Sequence, residues 1–157
     1  MPQLVKGGKY VFGWSKVNNN GNIVIPPEAI EEYKFSPETA VIMVSGSKTS
    51  GGFVIIEKTV LEKSALGNVL KEKPELGSLQ MPEGKIIVFK NKRYGWTKIQ
   101  PGNTLKLKSE TLGAYDVKPG DDLMVIRGSG LGISMIVKGP IIEYARTHPE
   151  IEKFGYW

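Results

Sequence analysis

The chain is written twice. Gly13-Trp14-Ser15-Lys16-Val17 returns as Gly95-Trp96-Thr97-Lys98-Ile99, and at a constant offset of 82 the match continues without a gap. Ile23 and Ile25 meet Leu105 and Leu107, Tyr33 meets Tyr115, Pro37 meets Pro119, and Gly46-Ser47 meets Gly128-Ser129. Identities fall on Gly, Pro, Trp and Tyr, whereas aliphatic positions exchange among themselves. Turn residues answer to backbone dihedrals and core residues mainly to size, so this pattern is the residue of a shared backbone. Whatever the chain folds into must therefore be built from one unit of about 80 residues used twice.

The order of elements follows from period and punctuation. Residues 4–17 read as an extended strand, in which Tyr10, Phe12, Trp14 and Lys16 alternate with Val11, Ser15 and Val17. Asn18-Asn19-Asn20-Gly21 predicts a tight turn and Asn22–Ile25 a returning strand. Pro26-Pro27-Glu28 opens a short helix with Ala29, Ile30 and Tyr33 on its apolar side. Strands follow at 40–44 and 53–56, and a helix at 59–70. Residues 73–84, with two prolines and two glycines, read as a linker. The second unit repeats this with a strand at 86–99, a turn at 100–103 and a strand at 104–107. A helix near 110–115, strands at 123–126 and 133–137 and a last helix at 141–146 complete it. The boundaries are 1–80 and 81–157, and the fold class is α+β, mainly β with short helices.

Charge separates the copies. Residues 1–82 hold nine Lys against eight acids, and 83–157 hold nine Lys and three Arg against eight. Between Lys85 and Lys108 stand seven basic residues and no acid. A net charge of +5 permits polyanion binding without demanding it. The absence of cysteine suits a reducing cytoplasm, and no apolar run approaches the roughly 20 residues of a membrane span.

The β-β-α-β-β unit resembles the AbrB/MazE/SpoVT family of prokaryotic DNA-binding domains. The likeness is carried by Val17 with Gly21-Asn22-Ile23-Val24-Ile25-Pro26, and in the second copy by Lys118-Pro119-Gly120-Asp121-Asp122-Leu123. It covers about residues 11–57 and 93–137. In that family two halves, usually from two chains, interleave their hairpins into a swapped-hairpin barrel. The resemblance implies that dimer fused into one polypeptide, acting in transcription regulation with duplex DNA as partner, and pairing with a second copy of the chain is also open. The family's arginine after the hairpin glycine is Asn22 here, and Asn103 or Thr104 in the second copy. Pro27, Glu31 and Glu32 replace further basic positions, so copy one lacks much of the usual phosphate-binding charge.

Candidate DNA-contacting residues are Lys16, Asn22, Lys92, Arg93, Lys98, Asn103, Lys106 and Lys108. Lysines supply phosphate contacts, and asparagines can reach base edges. Trp14 and Trp96 read as packing residues because they are duplicated among other structural positions. Gly128–Gly132 precedes a strand rather than a helix, so it reads as a hairpin tip and not a phosphate loop. Asp121-Asp122 reads as a turn rather than a metal site, and His148 is the sole histidine. No nucleophile–base set or metal cluster is spelled out, so neither enzymatic activity nor a cofactor is expected. The alternative is a barrel that no longer binds DNA and serves small ligands or protein partners.

Overall fold

A computed structural model describes residues 10–65, 67–128 and 131–156. The expected strand residues 4–9, Leu66 of the expected helix and Ser129-Gly130 of the glycine loop lie outside them. In chain order the elements are β1 Val11–Lys16, β2 Asn22–Val24, α1 Pro27–Tyr33, β3 Ala40–Ser45, β4 Phe53–Glu57, α2 Lys58–Glu62, α3 Asn68–Glu72 and α4 Pro74–Gly77. Then come β5 Ile87–Phe89, β6 Lys92–Lys98, β7 Thr104–Lys106, α5 Ser109–Ala114, β8 Asp122–Arg127, β9 Gly132–Ile136, α6 Pro140–Ala145 and β10 Lys153–Phe154. The protein is thus mixed α+β, mostly strand with short helices. Among the described residues no helix is long and apolar enough to cross a membrane.

The copies interleave. The first strand of each copy pairs antiparallel with the third strand of the other, β1 with β8 and β6 with β3. The second strands form a separate antiparallel ribbon, in which Ile23 faces Leu105. The fourth strands β4 and β9 join the halves across the middle. The eight-stranded sheet runs β10-β1-β8-β9-β4-β3-β6-β5 and ends on two edges, so strand pairing does not close it.

The largest core cluster draws ten buried residues from each copy. Val17 and Ile99, Ile23 and Leu105, Ile25 and Leu107, Val41 and Leu123, and Met43 and Val125 occupy equivalent places in it. Neither half encloses this cluster, because its ribbon face comes half from β2 and half from β7. Two smaller clusters cover the outer faces of the sheet. Trp14 packs with Met124, Ile126, Ile142 and Ile151, and Trp96 with Ile42, Leu61, Leu70, Leu76 and Met81. Both tryptophans are packing residues.

Several expectations need correction. The strand expected at 86–99 is a hairpin, because Lys90 and Asn91 adopt φ of 50° and 65° and turn β5 back onto β6. Two consecutive positive φ values are what a tight hairpin of this twist requires. The helix expected at 59–70 breaks into α2 and α3. At the break the Ser64 hydroxyl donates to the Leu61 carbonyl at 2.8 Å, and Gly67 N–H donates to Ser64 O. The segment read as a linker contains α4 and is packed down, with Leu76 fully buried and Met81 nearly so.

Strand β1 also departs from simple alternation. Its register against β8 slips between Val11 and Gly13, and Gly13 has φ of 148°. One extra residue is thereby absorbed, so Phe12 faces the main core while Trp14 faces the outer cluster. Because Val11 pairs with Ile126 as Tyr94 pairs with Val44, the counterpart of Arg93 is Tyr10. The counterpart of Lys92 falls on residue 9, outside the described residues.

Candidate nucleic-acid interface

The eight candidate residues do not form one patch. Asn22 and Lys106 are brought together, since they are direct partners across the β2·β7 ribbon. Alternation sends Ile23, Ile25, Leu105 and Leu107 into the core, so Asn22, Val24, Thr104 and Lys106 line the outward side. Lys108 continues that line just before α5, and both lysines are exposed. A groove beside them is lined by Asn20, Gln100, Lys106 and Lys108. Among the described residues neither lysine makes an ion pair.

Thr104, not Asn103, is the counterpart of Asn22 in this register. Asn103 takes the place of Gly21: both have positive φ, 58° and 79°, and their carbonyls accept from Ile25 and Leu107 at 2.8 and 3.0 Å. Asn103 therefore serves the turn that launches β7. The left-handed position explains the residue type, since asparagine tolerates it better than most.

Lys16 and Lys98 end β1 and β6 at equivalent places, and each is met by an acid of the other copy. Lys16 Nζ lies 3.7 Å from Asp122 Oδ1, and Lys98 Nζ lies 3.3 Å from Glu38 Oε2. Glu83 also turns inward here, accepting from Thr97 Oγ1 at 2.7 Å and from Lys98 N at 2.9 Å. The acid-free window of the sequence is therefore supplied with acids once the chain is folded. Lys16 is further covered by the Tyr156 ring, 5.1 Å from Nζ to the centroid. The Tyr156 hydroxyl donates to Asp122 Oδ1 at 2.7 Å; burial first, and then this carboxylate, push its pKa above the ordinary phenol value.

Lys92 and Arg93 start β6, about 20 Å of strand away from Lys98. Arg93 is occupied structurally: its Nη1 donates to the Ala114 carbonyl at the end of α5, and its backbone N–H to Ser45 Oγ, both at 3.0 Å. In the other half Arg127 of β8 grips Glu32 of α1 through Nε and Nη2, at 2.6 and 2.5 Å. The same guanidinium lies 4.8 Å over the Tyr10 ring, and the Tyr10 hydroxyl donates to Glu28. That hydrogen bond, with burial behind it, pushes the Tyr10 phenol up to about 12.

The sequence reading missed Lys85 and Asn20. Lys85 lines a second groove together with Lys108, and Asn20 borders the first. Both carried a signal, as Lys85 opens the acid-free window and Asn20 belongs to the Asn18–Asn20 run. Asp121 and Asp122 serve the turn and the tail. Asp121 Oδ2 accepts from Lys118 N at 2.9 Å, and among the described residues no three metal-ligating side chains gather.

No family model matches the chain, and no curated protein matches it.

Proposed function

We propose that the chain binds duplex DNA through the β2·β7 ribbon, in an interleaved barrel of the AbrB-like type. The observation that carries this reading is the pairing of Asn22 with Lys106 on the outward side of a ribbon built from both copies. The barrel reading is supported by the apolar side of the ribbon, whose Ile23, Ile25, Leu105 and Leu107 belong to the main core. A two-stranded antiparallel ribbon fits the major groove, about 12 Å wide. Lysine ammonium groups meet phosphates as mobile point charges, and asparagine can pair in bidentate fashion with adenine. Lys85, Lys106 and Lys108 supply the phosphate contacts, and Asn22, with Asn20 beside it, reaches for base edges. The neutralisation of Lys16, Lys98 and Arg127 by acids favours the second reading, an interaction module for proteins or small ligands.

Fluorescence anisotropy on a labelled duplex, run from about 50 to 200 mM salt, separates the two. Three lysine–phosphate contacts give a slope of log affinity against log salt of roughly −3. Absence of binding at the lowest salt rejects the DNA reading in favour of the interaction module.

A further inference from the structure

The duplicated tryptophans differ in one atom's surroundings. Trp96 Nε1 donates to the Met81 carbonyl at 2.7 Å. Trp14 is equally buried, at 8% exposure, yet its Nε1 has no hydrogen-bond partner among the described residues. No wholly enclosed side-chain nitrogen or oxygen is left unpartnered there, so this N–H reaches an opening. Trp14 lines a pocket of about 260 Å³ between β1, α6 and the tail that carries β10.

The pocket has an apolar floor and a basic rim. Trp14, Ala145 and Ile151 form the floor, and Arg146 and Lys153 stand on the rim. Neither cation makes an ion pair among the described residues, although Lys153 Nζ lies 5.7 Å over the Tyr156 ring. Of the acids here, Asp122, which also lines the pocket, and Glu150 are already engaged. Asp122 accepts from the Tyr156 hydroxyl and faces Lys16, and Glu150 lies 2.8 Å from His148 Nδ1. Among the described residues, two positive charges at the pocket and the Trp14 N–H donor are therefore without an ion-pair or hydrogen-bond partner.

We propose that this pocket binds a small planar organic acid, its carboxylate on Arg146 and Lys153 and its ring against Trp14. Guanidinium matches a carboxylate with two parallel N–H donors, and the apolar wall rewards a flat body that displaces water. The Trp14 N–H that reaches an opening supplies orientation, because an acceptor placed there takes the part that the Met81 carbonyl plays for Trp96. Specificity then lies in charge sign as well as in shape. The site is separate from the β2·β7 ribbon and stands whether or not the ribbon binds DNA.

Benzoate is the probe, with benzyl alcohol and benzylamine as neutral and cationic controls. The three indole N–H signals of the ¹⁵N-labelled protein are assigned with Trp96→Phe and Trp157→Phe. Benzoate is expected to shift the Trp14 indole signal and leave that of Trp96 in place, while benzylamine shifts neither. Arg146→Ala with Lys153→Ala is expected to weaken benzoate at least about tenfold, and Arg146→Gln alone to weaken it in the same direction. A Trp14 signal unmoved at about 10 mM benzoate, enough to saturate a Kd of about 1 mM, overturns the proposal. So does an equal response to benzyl alcohol, or an affinity untouched in both variants.

Discussion

Where each first strand meets the helix beside it, the two copies solve one packing problem with different charges. On one side Arg127 of β8 reaches Glu32 of α1, and the guanidinium lies over Tyr10. At the equivalent places on the other side stand Ser45 and Ala114, too small to repeat that pair. There the cation has moved to the neighbouring strand, where the Arg93 guanidinium donates to the Ala114 carbonyl and its backbone N–H to the Ser45 hydroxyl. The backbone frame and core volumes are held in common, while the surface chemistry has been redistributed residue by residue. A duplication constrains what both copies must bury together and leaves each outward face free to diverge.

The interleaving is the part of this comparison that is easiest to break. Expressed alone, residues 1–80 leave β1 and β2 without a partner and β3 paired on one side only, and 83–157 leave β7 without a partner and β6 and β8 paired on one side only. Neither fragment is expected to unfold cooperatively, and mixing them should restore a thermal transition and a sheet-like circular dichroism spectrum. A monomeric fragment with its own sharp transition would mean that the copies fold independently.

A finer contrast lies in the turns before β3 and β8. Glu38 at φ of 74° and Gly120 at φ of 93° are equivalents, and their N–H groups donate to Ile99 O and Val17 O at 2.8 and 2.7 Å. Both turns thus demand the left-handed conformation, although the sequence placed glycine in only one. A Cβ on Gly120 meets nothing within 4 Å, so Gly120→Val tests conformational strain alone. It should destabilise by about 1–3 kcal/mol, whereas Glu38→Gly should stabilise by up to about 1 kcal/mol, less what the exposed pair with Lys98 contributes. Denaturant melts of the two variants read this directly, and shifts of the same sign would contradict the equivalence.

The smallest effect concerns the redistributed charges. Glu32→Ala leaves Arg127 half-exposed and without its carboxylate, and should destabilise only slightly, the loss diminishing with added salt. Its counterpart position is already alanine, so the variant makes one copy more like the other. A loss that salt does not reduce would place the role of Glu32 in packing rather than charge.

How far the sequence reached can be read from particular residues. The core pairs were legible because duplication and side-chain period mark them, and the turns at Gly21 and Gly120 because φ is a local property that glycine announces. The slip at Phe12 was not, since one absorbed residue leaves both strands hydrophobic and changes only which face each side chain takes. The packed segment 73–84 was hidden because α4 spans four residues and contributes one buried side chain, Leu76, too few for a period. The two-residue strand β10 carries no pattern at all. Of the site, the basic bias was visible, but its partial cancellation was not. Asp122 is more than 100 residues from Lys16, and Glu38 lies 60 residues from Lys98.

The central claim, that a symmetric frame carries an asymmetric binding face, is tested most directly by duplex affinity across a salt series for three charge-reversal variants. Lys106→Glu with Lys108→Glu should abolish binding or flatten the salt slope by roughly 2, at about 0.9 per lost phosphate contact. Lys16→Glu, whose lysine already faces Asp122 and Tyr156, should weaken binding only modestly, and Lys92→Glu at the far end of β6 should leave it unchanged. Equal losses from Lys16→Glu and the double variant, or an unaltered slope in a folded double variant, would contradict it.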